Sequence, residues 1–193
     1  MKTIFKPESN LTKSVLDFVQ SIIIALAIAI FLYLFVVTPS EVEGRSMEPN
    51  LYTGERLYTN RLSHWFSETD IGKTIGLSYN RNNIVVFQKP GMDMLIKRII
   101  ALPGETIELK DQRFYVNGQL LQEPYLASDV LTKEGSFLRE DQKLTVPVDS
   151  YFVAGDNRPV SNDSRYIGFI KTDWIIGKPF FRIWPLARFG TLQ

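Results

Sequence analysis

Lys97 is the residue whose surroundings most need a chemical explanation. It lies in the apolar segment MLIKRII, residues 94–100, where a strand would place it on the same face as Leu95 and Ile99. Burying an ammonium group is costly unless its charge is paired or lost. The sequence therefore predicts a lysine that has either a charged partner or a lowered pKa.

Two polar segments contain groups that could act together with Lys97. In GRSMEP, residues 44–49, Ser46 follows a glycine-containing turn and precedes Pro49, a setting that can fix a hydroxyl group. The segment GDNRPVSNDSR, residues 155–165, joins a Gly-Asp-Asn turn to small polar residues and arginines. Taken singly, each segment also has the composition of an ordinary solvated loop.

Composition limits the chemistry that these residues can perform. The chain has 193 residues, 45% of them hydrophobic, and a formal net charge of +1. This length allows one membrane segment and one domain with a substantial core, and the charge gives no indication of nucleic-acid binding. Cysteine is absent and the single histidine is His64. We therefore expect no metal and no other cofactor, and we expect His64 to be a surface or packing residue in a loop.

The N-terminal region contains a candidate membrane anchor. The apolar run FVQSIIIALAIAIFLYLFVV, residues 18–37, is long enough to span a bilayer as a helix. A cleavable signal peptide is the alternative, because alanines within the run offer small-x-small spacing, but the further apolar residues after them favour an uncleaved anchor. Lysines precede the run and only Arg45 follows it closely. The positive-inside rule then predicts a cytoplasmic tail, residues 1–17, and an extracytoplasmic domain, residues 38–193.

Beyond residue 37 the pattern predicts a mainly β domain built on antiparallel sheet. Short runs rich in β-branched and aromatic residues alternate with Gly, Pro and Asn. The candidate strands are ERLYTNRL, NNIVVF, MLIKRII, TIELK, RFYV, QLL, KLTV, YFVAG and PFFRIW. RFYV and QLL flank Asn117-Gly118, a dipeptide typical of hairpin turns. Residues 123–145 are less patterned, and we expect an excursion or smaller subdomain at about 106–150.

In this order, after an N-terminal anchor, the polar segments resemble those of type I signal peptidases, a family of serine proteases with a Ser-Lys dyad. The matching motifs are SMEP at 46–49, KRIIALPGE at 97–105 and GDNRPVSNDSR at 155–165. NNIVVF and the closing GKPFFRIWP also fit the family pattern. The resemblance therefore covers nearly the whole chain apart from residues 106–145.

The resemblance implies that Ser46 is the nucleophile and Lys97 its general base. A free lysine is protonated at neutral pH, but desolvation by apolar neighbours can lower its pKa by about 3 to 5 units. A neutral Lys97 within hydrogen-bond reach of Ser46 can remove its proton during attack on a peptide carbonyl. Ser161 matches the family serine that hydrogen-bonds the lysine amine and orients it.

Other motif residues are expected to support the dyad. Gly44 replaces a serine that helps to bind the oxyanion in some family members, so the backbone N–H of Ser46 must act there, with Gly44 allowing close backbone approach. Arg98 points away from Lys97 in a strand, and we expect it to form a structural ion pair with Asp156. The remaining residues expected to hold the motifs together are Met47, Pro49, Asp163 and Arg165.

The resemblance therefore implies a membrane-bound serine endopeptidase that cleaves signal peptides from exported preproteins after small-x-small sites such as Ala-x-Ala. Its expected partners are these signal peptides and the lipid bilayer. The alternatives are a non-catalytic anchored β domain and a Ser-Lys protease with one dedicated partner; retention of both Ser46 and Lys97 argues against the first. The expected location is the cytoplasmic (inner) membrane, with an internal photosynthetic (thylakoid) membrane as the other possibility.

Overall fold

The computed structural model describes residues 10–192. By their internal contacts these residues form two compact units, divided between Val37 and Thr38.

The first unit contains one long helix, as the sequence predicts. Helix α1 covers Asn10–Phe35, and Lys13–Tyr33 within it is apolar and long enough to cross a membrane. The helix begins before the apolar run 18–37 and ends before its last two residues. Polar residues such as Asp17 are compatible with helical backbone, so a helix can extend beyond the apolar part of its sequence. The Ser21 hydroxyl donates a hydrogen bond to the Asp17 carbonyl one turn earlier.

The second unit is mainly β, which confirms the predicted fold class. The strands, in chain order, are β1 (Val37–Glu41), β2 (Arg56–Asn60), β3 (Ile84–Gln88), β4 (Met94–Ala101), β5 (Thr106–Lys110), β6 (Arg113–Val116), β7 (Gln119–Leu120), β8 (Lys143–Thr145), β9 (Ser150–Ala154), β10 (Ile170–Lys171), β11 (Ile175–Trp184) and β12 (Gly190–Thr191). Each candidate strand of the sequence corresponds to one of these. The sequence did not predict β1, β10 or β12, because β1 contains polar residues and a proline and the other two have only two residues each.

The larger sheet has eight strands in the order β1-β2-β11-β3-β4-β9-β10, with β12 paired to β11. Strand β4 is central to the site because it pairs antiparallel with β3 along Met94–Arg98 and with β9 from Arg98 onward. The long strand β11 pairs antiparallel with β2, β3 and β12.

The smaller sheet has four strands in the order β7-β6-β5-β8. Asn117 and Gly118 lie between β6 and β7 with φ values of 52° and 78°, so the predicted hairpin turn is confirmed. The segment 121–142 joins β7 to β8, and none of the strands given above lies within this described segment.

Within residues 10–192, three short α-helices accompany the sheets: α2 (Leu62–Phe66), α3 (Asp70–Thr74) and α4 (Ser164–Ile167). Three 3-10 helices in the same range cover Arg158–Val160, Thr172–Trp174 and Leu186–Arg188. The expectation that His64 lies in a loop is wrong, since it belongs to α2. Its ring Nδ1 lies 2.6 Å from the Ile175 carbonyl oxygen, consistent with a packing role. A helix of five residues is too short to show helical periodicity, so the sequence could not reveal it.

An apolar cluster beneath residues 44–50 fixes this segment on the larger sheet. Its buried members are Val42, Met47, Leu51, Leu57, Ile84, Val86 and Ile96. Because they come from β2, β3, β4 and the segment after β1, burial of their apolar surface holds the turn with Ser46 against the middle of the sheet.

Candidate active site

Ser46 lies half-buried in the turn formed by residues 44–50. Two backbone hydrogen bonds close the turn, from Glu48 N–H to the Arg45 carbonyl and from Leu51 N–H to the Met47 carbonyl. Met47 is buried below it with 1% of its surface exposed. Pro49 follows a cis peptide bond in the same turn. The side chain of Ser46 is therefore held on a structured turn.

Gly44 lies in open space, since a Cβ atom there would meet nothing within 4 Å and no neighbouring residue of the chain requires glycine. Its expected role in allowing close approach of a substrate backbone stays a prediction. Its φ of +77° lies in the left-handed region, where a side chain would be strained. The Thr53 hydroxyl donates to the Gly44 carbonyl at 2.8 Å and holds this conformation. The support that Gly44 gives is to the shape of the turn.

Strand β4 brings Lys97 to the nucleophile turn. Its Nζ lies 2.8 Å from Ser46 Oγ and 3.0 Å from the Ile96 carbonyl oxygen. Lys97 is buried, with 3% of its surface exposed. Two residues that are 51 positions apart in the chain are thus within hydrogen-bond distance of each other.

The setting of Lys97 favours the neutral amine, as predicted from its apolar neighbours. Burial lowers the pKa of Lys97 from its ordinary 10.5 to about 8. The negative charges of Asp163 and Asp156 act in the opposite direction and raise this pKa. Desolvation is the larger effect, and with a pKa of about 8 roughly a tenth of the amine is neutral at pH 7, far more than for a lysine at its ordinary 10.5.

The segment 155–165 forms the other side of the site. Asn157 donates from its backbone N–H to the Ser46 carbonyl at 2.9 Å and from its side chain to the Arg45 carbonyl at 3.1 Å. A Cβ atom at Gly155 would clash with the Ser161 hydroxyl and with the Ser46 carbonyl oxygen. The sequence indicated Gly155 and Asn157 only as turn residues; their direct contacts with the nucleophile turn have no local signal.

The predicted hydrogen bond between Ser161 and Lys97 is not formed. Ser161 Oγ is buried and has no hydrogen-bond partner within the described part of the chain, residues 10–192. The Lys97 amine is satisfied by Ser46 Oγ and the Ile96 carbonyl, while the Ser161 hydroxyl lies against Gly155. An orienting role for Ser161 stays a prediction.

The predicted ion pair between Arg98 and Asp156 is confirmed. Nε and an Nη of Arg98 donate to the two carboxylate oxygens of Asp156 at 2.8 and 2.7 Å. The side chains are 5% and 0% exposed, so the pair is desolvated. Arg98 also lies over the Tyr125 ring, 4.0 Å from its centroid, and donates to the Asn82 carbonyl. The pair joins β4 to the segment that carries Asn157.

Asp163 and Arg165 have the structural roles expected of them. Asp163 accepts hydrogen bonds from the backbone N–H of Gly155 and from the guanidinium of Arg165 at 2.8 Å. Arg158, which the sequence did not single out, forms a buried ion pair with Glu123 and donates to the Gly155 carbonyl. Arg158 and Arg165 fix the segment 155–165 by donating hydrogen bonds to its backbone carbonyls.

A cavity of about 200 Å³ opens beside the dyad. The residues that line it are Glu41, Glu43, Gly44, Arg45, Ser46, Met94, Leu95, Ile96, Lys97, Val160 and Asn162. Along 94–97, β4 pairs with β3 on one side, and its pairing with β9 begins only at Arg98. Within the described residues no strand pairs with the other side of 94–97, so an extended peptide can add there as a further strand.

Comparisons with known proteins agree with these motifs. A family model described as "Signal peptidase, peptidase S26" matches residues 15–184. Signal peptidase IB of Staphylococcus aureus (strain COL) is 36% identical over 188 residues, covering 92% of this chain and 93% of that protein. Signal peptidase I of Bacillus amyloliquefaciens is 35% identical over 184 residues, covering 93% and 94%. A crystal structure of a signal peptidase I from Enterococcus faecalis V583 shares 37% identity with a TM-score of 0.43, covering 51% of this chain and 94% of that one.

Proposed function

The chain belongs to the signal peptidase family, peptidase S26, and we propose that it cleaves signal peptides from exported preproteins with a Ser46–Lys97 dyad. The observation that carries this proposal is the 2.8 Å separation between Lys97 Nζ and Ser46 Oγ. The lowered pKa of the buried amine supports it, because a general base must be unprotonated to act.

In the proposed acylation step, neutral Lys97 accepts the Ser46 proton while Oγ attacks the carbonyl carbon of the scissile peptide bond. A C–O bond forms, and the electron pair of the carbonyl π bond moves to the oxygen. The backbone N–H of Ser46 donates to this oxyanion; among residues 10–192 it has no other hydrogen-bond acceptor. The C–N bond then breaks, and the Lys97 ammonium returns the proton to the leaving amine.

Deacylation uses the same groups. Lys97, neutral again, removes a proton from a water molecule that attacks the acyl carbon, and then returns the proton to Ser46 as the C–O bond breaks. We assign to Ser161 the orientation of the Lys97 amine during these transfers. Its buried hydroxyl without a partner supports this role, since buried hydroxyl groups normally find a hydrogen bond.

We propose that the substrate binds in extended form along residues 94–97 and presents an Ala-x-Ala site to the dyad. In an added strand alternate side chains point to the same face, so two positions would enter the cavity beside Ser46. The small volume of this cavity, about 200 Å³, supports a requirement for small side chains.

We further propose that residues 18–37 anchor the chain in the cytoplasmic membrane, with residues 1–17 in the cytoplasm and the catalytic domain, residues 38–193, outside. The apolar helix segment Lys13–Tyr33 supports an anchor. The distribution of lysines around it supports the orientation.

The test is cleavage of a panel of exported preproteins by the purified full chain in detergent. The wild-type chain should release signal peptides with the mature N-terminus directly after a small-x-small site, identified by mass spectrometry. Ser46→Ala should leave the preproteins intact. Intact preproteins with the wild-type chain, or equal cleavage by Ser46→Ala, would refute the proposed function.

A further inference from the structure

The C-terminal segment, residues 185–192, folds back onto the larger sheet near the nucleophile turn. Strand β12 pairs with β11, and Leu192 N–H donates to the Phe180 carbonyl. The Phe189 ring packs edge-on against Phe181. Leu192 contacts the apolar cluster that contains Met47 and Leu51. The match to the signal peptidase family model ends at residue 184, before this segment.

Arg188 connects the segment to a buried carboxylate. Glu55 is 2% exposed and is approached by two guanidinium groups, Arg188 at 2.5 Å and Arg182 at 2.8 Å. Arg182 is close enough for an ion pair, but its Nε is not aligned for a hydrogen bond to Glu55. One buried negative charge therefore faces two positive charges, and loss of Arg188 would still leave Glu55 paired with Arg182.

Both guanidinium groups also converge on one backbone atom of the nucleophile turn. Arg182 and Arg188 each donate to the Asn50 carbonyl oxygen at 3.1 Å. The guanidinium of Arg188 lies over the Tyr52 ring, 4.7 Å from its centroid. The Arg188 guanidinium is planar and binds the Glu55 carboxylate and the Asn50 carbonyl at the same time. Two bonds from one planar group fix the position of the end of the turn more tightly than a single hydrogen bond would.

Asn50 in turn contacts the other half of the site. Its side chain donates to Asp156 at 2.8 Å and to the Tyr125 carbonyl at 3.1 Å. Asp156 is the partner of Arg98 on the strand that carries Lys97. The contacts thus continue from Arg188 through Asn50 to Asp156, which is paired with Arg98 on β4.

We propose that Arg188 is a positioning residue for the reaction: through Asn50 it holds the turn 44–50 in the geometry that places Ser46 Oγ beside Lys97. The proposal rests on the proposed function for its catalytic consequence. Arg188 touches neither member of the dyad. A displacement of about 1 Å in a reacting group can cost about 10²-fold in rate, so a small movement of the turn would suffice.

The experiment compares Arg188→Ala with two control variants in the full chain. Leu186→Ala alters an exposed residue of the same segment, and Arg139→Ala removes one exposed positive charge elsewhere. Arg188→Ala should lower kcat by about 10- to 100-fold with KM within twofold, while both controls stay within twofold of wild type. Unchanged kcat, or a loss confined to KM, would overturn the proposal. Where Arg188→Ala does not fold, Arg188→Lys keeps the charge and should show the same loss to a smaller degree.

A double mutant tests the route through Asn50. Asn50→Ala keeps the backbone carbonyl that Arg188 binds and removes only the side-chain bonds to Asp156 and the Tyr125 carbonyl. If Arg188 acts through this onward link, Asn50→Ala with Arg188→Ala should have a kcat close to that of Asn50→Ala alone. Losses that multiply would show that Arg188 acts independently of the Asn50 side chain and would overturn the route from Asn50 to Asp156.

Hydrogen–deuterium exchange separates this inference from the proposed function. The amides of Glu48 and Leu51 should exchange faster in Arg188→Ala than in wild type and both controls, because their hydrogen bonds close the turn. Unchanged exchange would overturn the inference whether or not any preprotein is cleaved. Faster exchange in a protein whose wild type cleaves no preprotein would instead count against the proposed function.

Discussion

Ser46 and Lys97 share one proton in the proposed mechanism, so neither side chain is expected to act without the other. Ser46→Ala and Lys97→Ala should each lower kcat/KM by roughly 10³-fold or more, and the double variant should be little worse than either. Lys97→Arg should be as inactive as Lys97→Ala, because a guanidinium stays protonated. The measurement is initial cleavage rate on one preprotein. Losses that multiply in the double variant would contradict a shared mechanism.

The lowered pKa of Lys97 predicts the pH dependence of the reaction. The neutral amine is the active form, so kcat/KM should rise with pH through a limb near pKa 8 and level off above it. A lysine at its ordinary 10.5 would place that limb well above 8. Cleavage rates between pH 5 and 10, on a substrate without ionisable groups near the scissile bond, check this. Activity that stays constant down to pH 5 would require another base.

Gly155 is required by packing and not by its backbone conformation. Gly155→Ala should force Ser161 and the Ser46 carbonyl to move, lowering stability by about 1–3 kcal/mol and also lowering kcat. Gly76→Ala is the matched control: Gly76 has φ +76° and open space around its Cα, far from the dyad in sequence. It should cost about 1–2 kcal/mol of stability through backbone strain and leave kcat unchanged. A Gly155→Ala enzyme with normal kcat would contradict this account.

At the scale of elements, the Arg98–Asp156 pair connects β4 to the segment that contacts the nucleophile turn. Asp156→Asn leaves the buried Arg98 guanidinium without its counter-charge, so it should lower the free energy of unfolding by about 3–5 kcal/mol. The measurement is urea unfolding followed by tryptophan fluorescence. Asp70→Asn breaks an exposed pair with Lys73 and should change stability by less than about 0.5 kcal/mol. Equal effects of the two substitutions would show that burial of the pair does not matter.

The segment 121–142 is held by the same kind of contact. Arg158 pairs with Glu123 and donates to the Thr132 hydroxyl, and Arg165 donates to the Lys133 carbonyl. A stretch without regular strand pairing is thereby fixed by buried guanidinium groups whose planar donors reach several acceptors at once. Arg98 of β4 contacts the same segment through the Tyr125 ring. Arg98, Arg158 and Arg165 thus join the segment 121–142 to β4 and to the segment 155–165.

At the scale of the whole molecule, the short link between anchor and nucleophile predicts where substrates are cut. Only residues 38–45 separate the apolar run from Ser46, a reach of at most about 30 Å at 3.3–3.6 Å per residue. In liposomes, cleavage of an Ala-x-Ala site should therefore become less efficient as the site is moved away from an apolar membrane segment. Cleavage rates over a series of spacer lengths give the measurement.

The control for this prediction is a chain without the anchor that begins at Thr38, the first residue of the second compact unit, so that most of β1 is kept. Without the anchor its efficiency should depend less on the distance between the cleavage site and the bilayer. An anchored enzyme that cuts all spacer lengths equally well would show that the tether does not select the site.

Features that depend on local pattern could be predicted from the order of the residues alone. The apolar run predicted helix α1, alternating β-branched and aromatic runs predicted the main strands, and Asn117-Gly118 predicted its hairpin because those two residues tolerate positive φ. Lys97 was conspicuous because a charge among apolar neighbours is costly wherever the chain folds.

The contacts between these parts of the chain could not be predicted from local pattern. Ser46 and Lys97 reach each other from positions 51 residues apart, and Arg188 reaches Asn50 across 138 residues. The need for glycine at 155 and the separation of Ser161 from the Lys97 amine depend on side-chain packing between distant segments. Such contacts leave no periodic pattern in the sequence by which they could be predicted. They depend on which surfaces become buried together and not on the backbone conformation of any one segment.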